Sequence, residues 1–574
     1  MTGFLNDPNQ SNNNPRQFML AMALMLGVLF TWQTLYPPVP PGAAPNGEGS
    51  GEAAIGEAPP APAFRAEGSA EGSAEGTQEA VAAAAPEAEA IPALPPQTLN
   101  GANVALAFTN TGARLAEVTV VEPAQYIPKD DVAGIFPEPH ERYLPLALRI
   151  GGLADLTDDA IFRFDEEASE GSEDDGYDSL VYRWRSPDGA IDVVKRFRAT
   201  ETPFGARMDV EVHNVSASAR RFENLDVRVY GSFSPDEGGG LMGQMGSVVE
   251  TLCYGEYGTE RKPARKVKEG EPRVHEGVTR MAGVNERYFL TAVGAIEGES
   301  ASPTTSCRAE RVDEEHVRTV VRHGGFMVEP GASQRWSYTV FTGPKDERYL
   351  DQYAEGFNRS IDFGMFEFLA LPIRWLLLFL QGWVGNWGLA IILLTICIKI
   401  VLFPITQKGY ESMEKMKRVQ PKLKKLQEKY ENDKMKLAEE QMKLFKDEGV
   451  SPAGGCLPML AQMPIYFALY RTIWGSAELY RAPFFGWLDD LSQSDPYFIL
   501  PALMGLTMLF QQRLMPQSVD NPQMAMISKV MPVMFTVFML FLPSGLVLYI
   551  FINMLLSIGQ MLYIRKKFGD PKPS

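Results

Sequence analysis

Long apolar runs alternate with polar segments along this chain, and the apolar runs concentrate in the last third. The first run, 18–36, approaches the ~20 residues that a transmembrane helix needs. No small-residue cleavage site closes it, and Trp32 and Tyr36 are placed where interfacial aromatic residues are common. The pattern predicts an uncleaved transmembrane anchor at 18–36, with residues 1–17 in the cytoplasm.

Residues 37–97 are rich in proline, alanine, glycine and glutamate, and they include the repeat AEGSAEGSAEGT at 66–77. Such a composition supplies too little apolar surface to bury a core and offset the entropy of folding. We therefore expect a disordered acidic linker over 37–97, which tethers the anchor to the next segment.

Residues 98–345 change to alternating apolar and polar positions, as in RMDVEVHNVSA and QRWSYTVFTG. Alternation with period two is typical of strands that bury one face, and Pro187-Asp188-Gly189 indicates a hairpin turn. The pattern predicts a large all-β sandwich outside the cytoplasm, because it follows a span whose N-terminus is inside. Cys253 and Cys307 could pair in an oxidising compartment or remain free thiols. We expect free thiols.

Residues 363–383 are apolar enough to cross a membrane, but Glu367, Arg374 and Gln381 recur every seven residues and form one polar stripe. A crossing here would place the basic segment 407–448 outside, against the tendency of short basic loops to stay in the cytoplasm. We therefore predict an amphipathic helix at 363–383 that lies on the periplasmic membrane surface.

The run 386–404 is the predicted second span, and it carries Lys399. A lysine at the centre of a span costs roughly 2.5–3.5 kcal/mol on insertion scales. Thr395 precedes it by four residues and therefore shares its helix face. Two interpretations are open: Lys399 snorkels to the cytoplasmic interface, or it lines a wet cavity inside the protein.

Residues 407–448 are charged helix formers with a break near Asn432-Asp433, which predicts a two-helix cytoplasmic hairpin whose first helix is interrupted at Pro421. Its predicted basic face comprises Lys415, Lys417, Arg418, Lys422, Lys424 and Lys425. This face could meet ribosomal RNA, anionic lipid or an acidic substrate. The alternative is that these charges serve only as a signal that keeps the loop inside.

Four further spans are predicted at 456–475, 496–512, 528–542 and 545–563, and the basic tail 564–574 is predicted in the cytoplasm. Six crossings with both termini inside satisfy the distribution of basic residues. Polar side chains recur in these spans, among them Gln462, Tyr549 and Asn553, but aspartate and glutamate are absent from the span cores. A cation without a built-in carboxylate partner suits transient capture of an acidic or polar peptide.

The formal net charge is −17, yet the segment after Pro404 is basic, an asymmetry that argues against a DNA-binding protein and fits a protein with two sides. The four cysteines form no CxxC pair, and the five histidines have no ligand spacing, so no metal site is expected. No nucleotide motif or nucleophile elbow is present, so we expect neither a cofactor nor a catalytic site.

The runs NWGLAIILLTICIKIVLFPIT, KMKRVQPKLKKL, SPAGGCLPMLAQMPIYFALY and FLPSGLVLYIFINMLLSIGQ resemble the YidC/Oxa/Alb family of membrane insertases. The resemblance is close over 363–564, and the anchor, tether and β domain match the layout of the family's Gram-negative form. It implies an α-helical polytopic protein of the bacterial inner membrane, with six spans and a large periplasmic β-sandwich between spans 1 and 2.

The resemblance further implies a non-enzymatic insertase and chaperone, which captures hydrophobic nascent inner-membrane proteins in a polar groove open to the cytoplasm and lipid. It implies that the protein works alone or with the Sec translocon, and that its partners include membrane lipids and the ribosome. The implied groove residues are Lys399, Thr395, Gln462, Tyr549 and Asn553. Lys399 replaces the family's usual arginine, which keeps the charge but loses the planar fork. Ile550 stands where some relatives have a second tyrosine.

Two other functions remain open from the residues. A small-molecule transporter would be expected to show internal repeats or broken helix pairs near the midplane, and no such repeat is visible. A cell-envelope enzyme acting on glycans would need paired acids in a pocket of the sandwich, and no carboxylate or histidine constellation marks one.

Overall fold

The computed structural model describes residues 92–126, 142–172, 176–233, 249–430, 433–450, 457–514 and 522–568. The predicted N-terminus 1–17, the anchor 18–36, most of the linker 37–97 and most of the tail 564–574 lie outside the described residues. Two regions follow in chain order. Strands occupy 97–344, termed the β domain below, and helices dominate 367–568, termed the helical region.

The β domain consists of two main sheets that share one apolar core. The larger sheet has the order β13-β12-β15-β16-β20-β9-β8-β7-β1-β2-β3, with β5 and β6 also paired to β7; the smaller has the order β14-β17-β18-β11-β4, and β10 pairs with β19. The strands are β1 (Gln97–Gly101), β2 (Val104–Thr109), β3 (Arg114–Val120), β4 (Ala147–Ile150), β5 (Arg163–Phe164), β6 (Glu170–Ser172), β7 (Gly176–Arg185), β8 (Ile191–Ala199), β9 (Gly205–Asn214), β10 (Arg220–Phe222), β11 (Leu225–Ser232), β12 (Glu250–Gly255), β13 (Gly258–Pro263), β14 (Arg273–Glu276), β15 (Thr279–Asn285), β16 (Phe289–Ala295), β17 (Thr304–Arg311), β18 (His316–His323), β19 (Phe326–Val328) and β20 (Ser333–Pro344).

Strand β8 shows how the alternating sequence produces this fold. Ile191, Val193 and Phe197 point into the core while their neighbours are half-exposed. Lys195 takes an inward position as well, and its ammonium donates to the carbonyls of Gly112, Ala113 and Leu146 at 3.1, 2.5 and 2.7 Å. The prediction of a β-rich domain is confirmed, because period-two burial recurs from strand to strand.

Cys253 and Cys307 form a disulfide with a Cα–Cα distance of 5.9 Å, so the expectation of free thiols is wrong. Cys253 lies on β12 and Cys307 on β17, which belong to different sheets. Only the packing of the two sheets brings these positions together, since they are 54 residues apart in sequence. A structural disulfide also fits an oxidising compartment for this domain.

Replacing both cysteines with alanine is expected to lower the free energy of unfolding of the β domain by about 4 kcal/mol, because the bond closes a long loop in the unfolded chain. Denaturant unfolding followed by tryptophan fluorescence measures the change. Cys397→Ala is the control, since Cys397 is a free cysteine and its replacement leaves the loop closed. Equal stability of the double variant and the control would contradict the prediction.

Seven helices of 14 or more residues follow within the described part of the helical region. They are α1 (Glu367–Val384), α2 (Trp387–Lys429), α3 (Lys434–Asp447), α4 (Leu457–Trp474), α5 (Ile499–Leu514), α6 (Pro522–Met539) and α7 (Ser544–Phe568). Among the described residues, Glu367–Val384, Trp387–Lys429 and Ser544–Lys567 are long and apolar enough to cross a membrane, and Val530–Met539 is a shorter apolar stretch. The prediction of a helical region with membrane spans is therefore confirmed in outline.

Helix α2 continues without a break through Pro404 and Pro421, so the predicted interruption at Pro421 is wrong. The predicted span 386–404 and the first helix of the hairpin are parts of one helix, and the bounds of the span stay a prediction. A proline inside a helix removes one backbone hydrogen bond and adds a local clash. The surrounding residues are mostly strong helix formers, including the run KMKRVQPKLKKL, and they keep both sides helical. The predicted break near Asn432-Asp433 agrees with the end of α2 at Lys429 and the start of α3 at Lys434.

Helix α1 buries the side that carries Arg374 of the polar stripe and exposes a side that is rich in aromatic residues. Its exposed side carries Phe368, Trp375, Phe379 and Trp383, with Trp375 stacked on Phe379. Arg374 is 5% exposed and forms ion pairs with Glu347 and Glu478. Acidic partners from outside the helix therefore hold Arg374 of the polar stripe against protein. The placement of 363–383 on the periplasmic membrane surface stays a prediction.

Candidate functional site

Lys399 is held in the interior of the helical region, between α2 and α7. Its side chain is 9% exposed, and its ammonium donates to the hydroxyl of Ser557 at 2.7 Å. The Ser557 hydroxyl donates in turn to the carbonyl of Asn553, also at 2.7 Å. The lysine is thus anchored to a neutral partner on the facing helix. Within the described residues no carboxylate forms an ion pair with it.

A second group of hydrogen bonds joins α4 to α7 beside the lysine. The amide of Gln462 donates to the phenol of Tyr549 at 2.8 Å, and the amide of Asn553 donates to the phenol of Tyr466 at 2.6 Å. The two tyrosine rings meet edge to face with centroids 5.6 Å apart. The side-chain oxygen of Asn553, Oδ1, is buried and lacks a hydrogen-bond partner in the described part of the chain. The cluster therefore retains one spare acceptor.

Thr395 does not join these contacts directly. It is buried on α2, and its hydroxyl donates to the carbonyl of Ile391 in its own helix at 2.6 Å. This intrahelical bond satisfies a hydroxyl inside an apolar span at little cost. The structure thus joins Lys399 of α2 to Ser557 of α7, and Gln462 of α4 to Tyr549 of α7. Asn553 links these contacts, since it bonds to both Ser557 and Tyr466, whereas Thr395 bonds only within α2.

Several residues of this cluster were not assigned to the groove from the sequence, although Tyr466 and Gln560 are among the polar side chains of the predicted spans. Ser557 contacts Lys399, and Tyr466 contacts Asn553. Thr406 and Gln560 form two hydrogen bonds with each other, of 3.0 and 3.2 Å. A signal existed for α7, because Tyr549, Asn553 and Ser557 recur every four residues and share one helix face. Serine side chains in membrane spans often bond to the backbone of their own helix. The presence of a serine at 557 therefore did not indicate a contact with another helix.

The predicted basic face lies on the C-terminal half of α2. Lys415, Arg418, Lys422, Lys424 and Lys425 are exposed, and Lys417 is half-exposed. Lys422 pairs with Glu448 just after α3 at 2.5 Å, which fastens one helix of the hairpin to the other. Val419 is buried between Lys415 and Lys422 on the same side of the helix. The six cations are accessible, and a single basic face stays a prediction.

The last feature of the site is the loose packing of α6. This helix packs mainly along α5, where Gly505 lies against Thr536, and it leaves Val530, Val533 and Val537 exposed. On α4, Phe467 is exposed as well. Among the described residues no cluster of three or more histidine, cysteine, aspartate or glutamate side chains could hold a metal ion.

These features define a protein with a β domain and a helical region whose apolar helices are long enough to cross a membrane. Comparison with known families agrees. The family model described as 60Kd inner membrane protein matches residues 379–571, and the YidC periplasmic domain model matches residues 98–376. The expected resemblance is thereby confirmed over both regions.

Individual relatives support the same assignment. The chain is 39% identical over 399 residues to the membrane protein insertase YidC of Anaeromyxobacter dehalogenans, covering 67% of this chain and 69% of the relative. It is 37% identical over 398 residues to the YidC of Azotobacter vinelandii, covering 68% and 70%. A crystal structure of an active YidC insertase is similar at a TM-score of 0.34 and 16% identity, covering 83% of this chain and 95% of that chain. The chain belongs to the YidC family of membrane protein insertases.

Proposed function

We propose that this protein is an insertase and chaperone for nascent inner-membrane proteins, and that the cluster around Lys399, Gln462, Tyr549 and Asn553 is the polar groove that receives them. The observation that carries the proposal is the buried Lys399, whose partner is the neutral Ser557. Thr395 forms part of the wall on α2. No catalytic group is required, since insertion moves a segment without making or breaking covalent bonds.

The hydrogen bond from Lys399 to Ser557 is of a kind that a substrate can replace. A charge-assisted bond between an ammonium and a carboxylate is roughly twice as strong as a neutral bond. The attraction also grows where water is scarce and the effective dielectric constant is low. An acidic residue in an incoming segment would therefore displace Ser557 at a net gain, and the spare oxygen of Asn553 could accept a polar group next to it.

The packing of α6 supports a lateral exit from the groove. Because α6 packs mainly on α5, a displacement of α6 breaks few contacts with α4. Apolar side chains on its exposed surface, including Val533 and Val537, are compatible with lipid. A captured apolar segment could thus pass between α4 and α6 into the bilayer while its polar residues remain at the groove.

We further propose six crossings with both termini in the cytoplasm. The last turn of α7 carries Arg565, Lys566 and Lys567, whereas the connection from α4 to α5 carries Glu478, Asp489, Asp490 and Asp495. Basic residues favour the cytoplasmic side of a span. In this arrangement the β domain is periplasmic, the amphipathic α1 lies at the outer surface, and the hairpin of α2 and α3 projects into the cytoplasm.

The proposed partners are nascent inner-membrane proteins, membrane lipids, the Sec translocon and the ribosome. The basic face of α2 supports the last of these, because clustered lysines attract polyanions at low and moderate salt. The same cations could also hold an acidic segment of a substrate before it enters the groove.

Reconstitution of the full chain into lipid vesicles tests the proposal. A short single-span substrate with acidic residues in its translocated segment should become protease-protected in vesicles that contain the protein and remain accessible in empty vesicles. Vesicles that take up small solutes faster, without protecting the substrate, would instead favour the transporter.

The hairpin is expected to act as a mobile receiver rather than only as a topology signal. A variant that lacks its tip, residues 426–437, but keeps Lys408, Lys415, Lys417 and Arg418 should be correctly oriented and should insert substrates several-fold more slowly. The reason is that the two helices of the hairpin hold each other through few contacts, including the pair Lys422–Glu448, so the tip opens at low cost. Insertion rates in vesicles measure the effect, and a normal rate would reduce the hairpin to an orientation device.

A further inference from the structure

A polar cavity of about 90 Å³ separates the β domain from the adjacent ends of α1 and α4. The turn between β15 and β16 forms one wall, and residues from Arg471 to Glu478 form the opposite wall. The segment from Ser360 to Phe363 closes the side. A volume of this size accommodates several water molecules, since one water needs roughly 10–15 Å³.

Direct contacts around the cavity hold the two regions together. The guanidinium of Arg287 lies 3.6 Å from the ring centroid of Trp474 and donates to its carbonyl at 3.2 Å. The phenol of Tyr288 donates to the carbonyl of Ser492 at 3.4 Å. Arg374 pairs with Glu347, which follows the β domain, and with Glu478. The cavity is therefore a joint between the β domain and the helical region.

Several polar side-chain atoms in the interior of the joint lack a hydrogen-bond partner among the described residues. Asn285 donates to Glu250 at 3.3 Å, but its own side-chain oxygen is buried without a partner. The Ser360 hydroxyl is buried without a partner as well. Across the described chain, no hydrogen bond joins the carboxyl group of Glu286 or the ammonium of Lys345 to protein, although both groups line the cavity.

The charges that face Glu286 are engaged elsewhere, with one exception. Arg374 is paired with two glutamates, Arg287 with Trp474, and both Arg261 and Arg471 lie 3.9 Å from Asp362. The exception is Lys345, which interacts with Glu250, Glu286 and Asp362; of these, Glu250 and Glu286 have no ion pair with an arginine among the described residues. The single ammonium of Lys345 cannot neutralise the carboxylates of both Glu250 and Glu286 in a confined site. One of these two carboxyl groups is therefore more stable in its protonated, neutral form. Burial raises the pKa of Glu286 to about 7 and lowers the pKa of Lys345 to about 8.

We propose that this cavity is a proton-responsive joint: protonated Glu286 lets the β domain dock on the ends of α1 and α4, and ionised Glu286 loosens the docking. The joint would make the placement of the β domain depend on periplasmic acidity. This inference concerns the link between the two regions and does not rest on the groove.

The sign follows from linkage. The docked state holds the pKa of Glu286 near 7, whereas a Glu286 released into water returns towards its ordinary value of 4.5. Between these values the docked form retains a proton that the undocked form loses, so the docking equilibrium constant rises up to tenfold for each unit that the pH falls below 7. Above pH 7 both forms are ionised and this dependence ends. Burial also raises the pKa of Glu250, which adds an effect of the same sign, while Lys345 stays charged throughout this window.

Distance measurements between spin labels on the full chain in lipid nanodiscs test the proposal. Labels replace the exposed Tyr257 in the β domain and Tyr497 in the helical region. The background carries Cys397→Ser and Cys456→Ser, which removes the other two cysteines and leaves the disulfide intact. We expect one narrow distance distribution at pH 5.5, and a second, broader population that grows at least tenfold by pH 7.5.

Glu286→Gln imitates the protonated side chain, so it should keep the narrow distribution at both pH values. The control Glu297→Gln removes an exposed carboxyl outside the cavity, paired with Arg280, and should respond to pH as the unchanged chain does. Identical distributions for the unchanged chain at both pH values, or a pH response that survives in Glu286→Gln at full size, would overturn the proposal.

Discussion

Lys399→Glu is expected to reduce the insertion rate of a substrate with acidic translocated residues by at least tenfold. The remaining rate should approach that of empty vesicles. A hydrogen bond to a charged group is worth about 1.5–3 kcal/mol, which corresponds to a factor of roughly ten to more than a hundred. Reversal of the charge adds repulsion to the loss of that bond. The variant also places a carboxylate opposite the neutral hydroxyl of Ser557.

The controls separate charge from shape and from general damage. Lys399→Arg keeps the positive charge and should retain most of the activity, although its planar donors fit Ser557 differently. Lys266→Glu makes the same change in net charge at an exposed position of the β domain and should insert normally. Insertion assays in vesicles measure all three variants. Normal insertion by Lys399→Glu, or complete loss in Lys399→Arg, would contradict the electrostatic role.

Arg374→Met is expected to lower the stability of the folded protein by about 3–5 kcal/mol, because it leaves a buried charge without its partner. Glu478 is 2% exposed and receives ion pairing from Arg374 and a hydrogen bond from Ser476 at 2.7 Å. Methionine fills part of the arginine volume, so the lost charge accounts for most of the effect. Thermal unfolding in detergent should show a midpoint several degrees lower.

A second substitution should rescue this variant. Arg374→Met combined with Glu478→Gln removes both charges and keeps the hydrogen bond to Ser476, so more than half of the lost stability should return. Arg513→Met is the matched control, because Arg513 is exposed on α5 and its loss should leave the midpoint unchanged. If Arg374→Met unfolds at the same temperature as this control, the buried ion pairs do not stabilise the joint.

The elements themselves could be predicted where periodicity and burial agree. The alternation in β8 and its neighbours predicts half-buried strands, and the polar residues Tyr549 and Asn553 share a helix face that the structure turns towards α4 and α2. Lys399 could be singled out because a cation in an apolar run is costly. These signals are local, so a single sequence contains them.

What the sequence could not supply depends on contacts between distant segments. The disulfide between Cys253 and Cys307 requires the two sheets to face each other, and the burial of Arg374 requires Glu478, more than 100 residues away. The role of Ser557 could not be predicted either, because it depends on the contact with Lys399 on another helix. Helix α6 begins at Pro522, before the predicted span 528–542, in keeping with the preference of proline for the first turn of a helix. The bounds of that span stay a prediction.

Site-specific crosslinking of a stalled nascent membrane protein tests the groove most directly. A photoreactive phenylalanine analogue replaces Tyr549, which is fully buried in the cluster, or Tyr563, a tyrosine of the same helix that is 54% exposed. If the cluster receives substrates, the probe at 549 crosslinks to the nascent chain, and the yield falls when Lys399→Glu is added. The probe at 563 gives a weaker signal that this substitution does not change. Equal crosslinking at both positions, insensitive to Lys399→Glu, would contradict a substrate groove at Lys399.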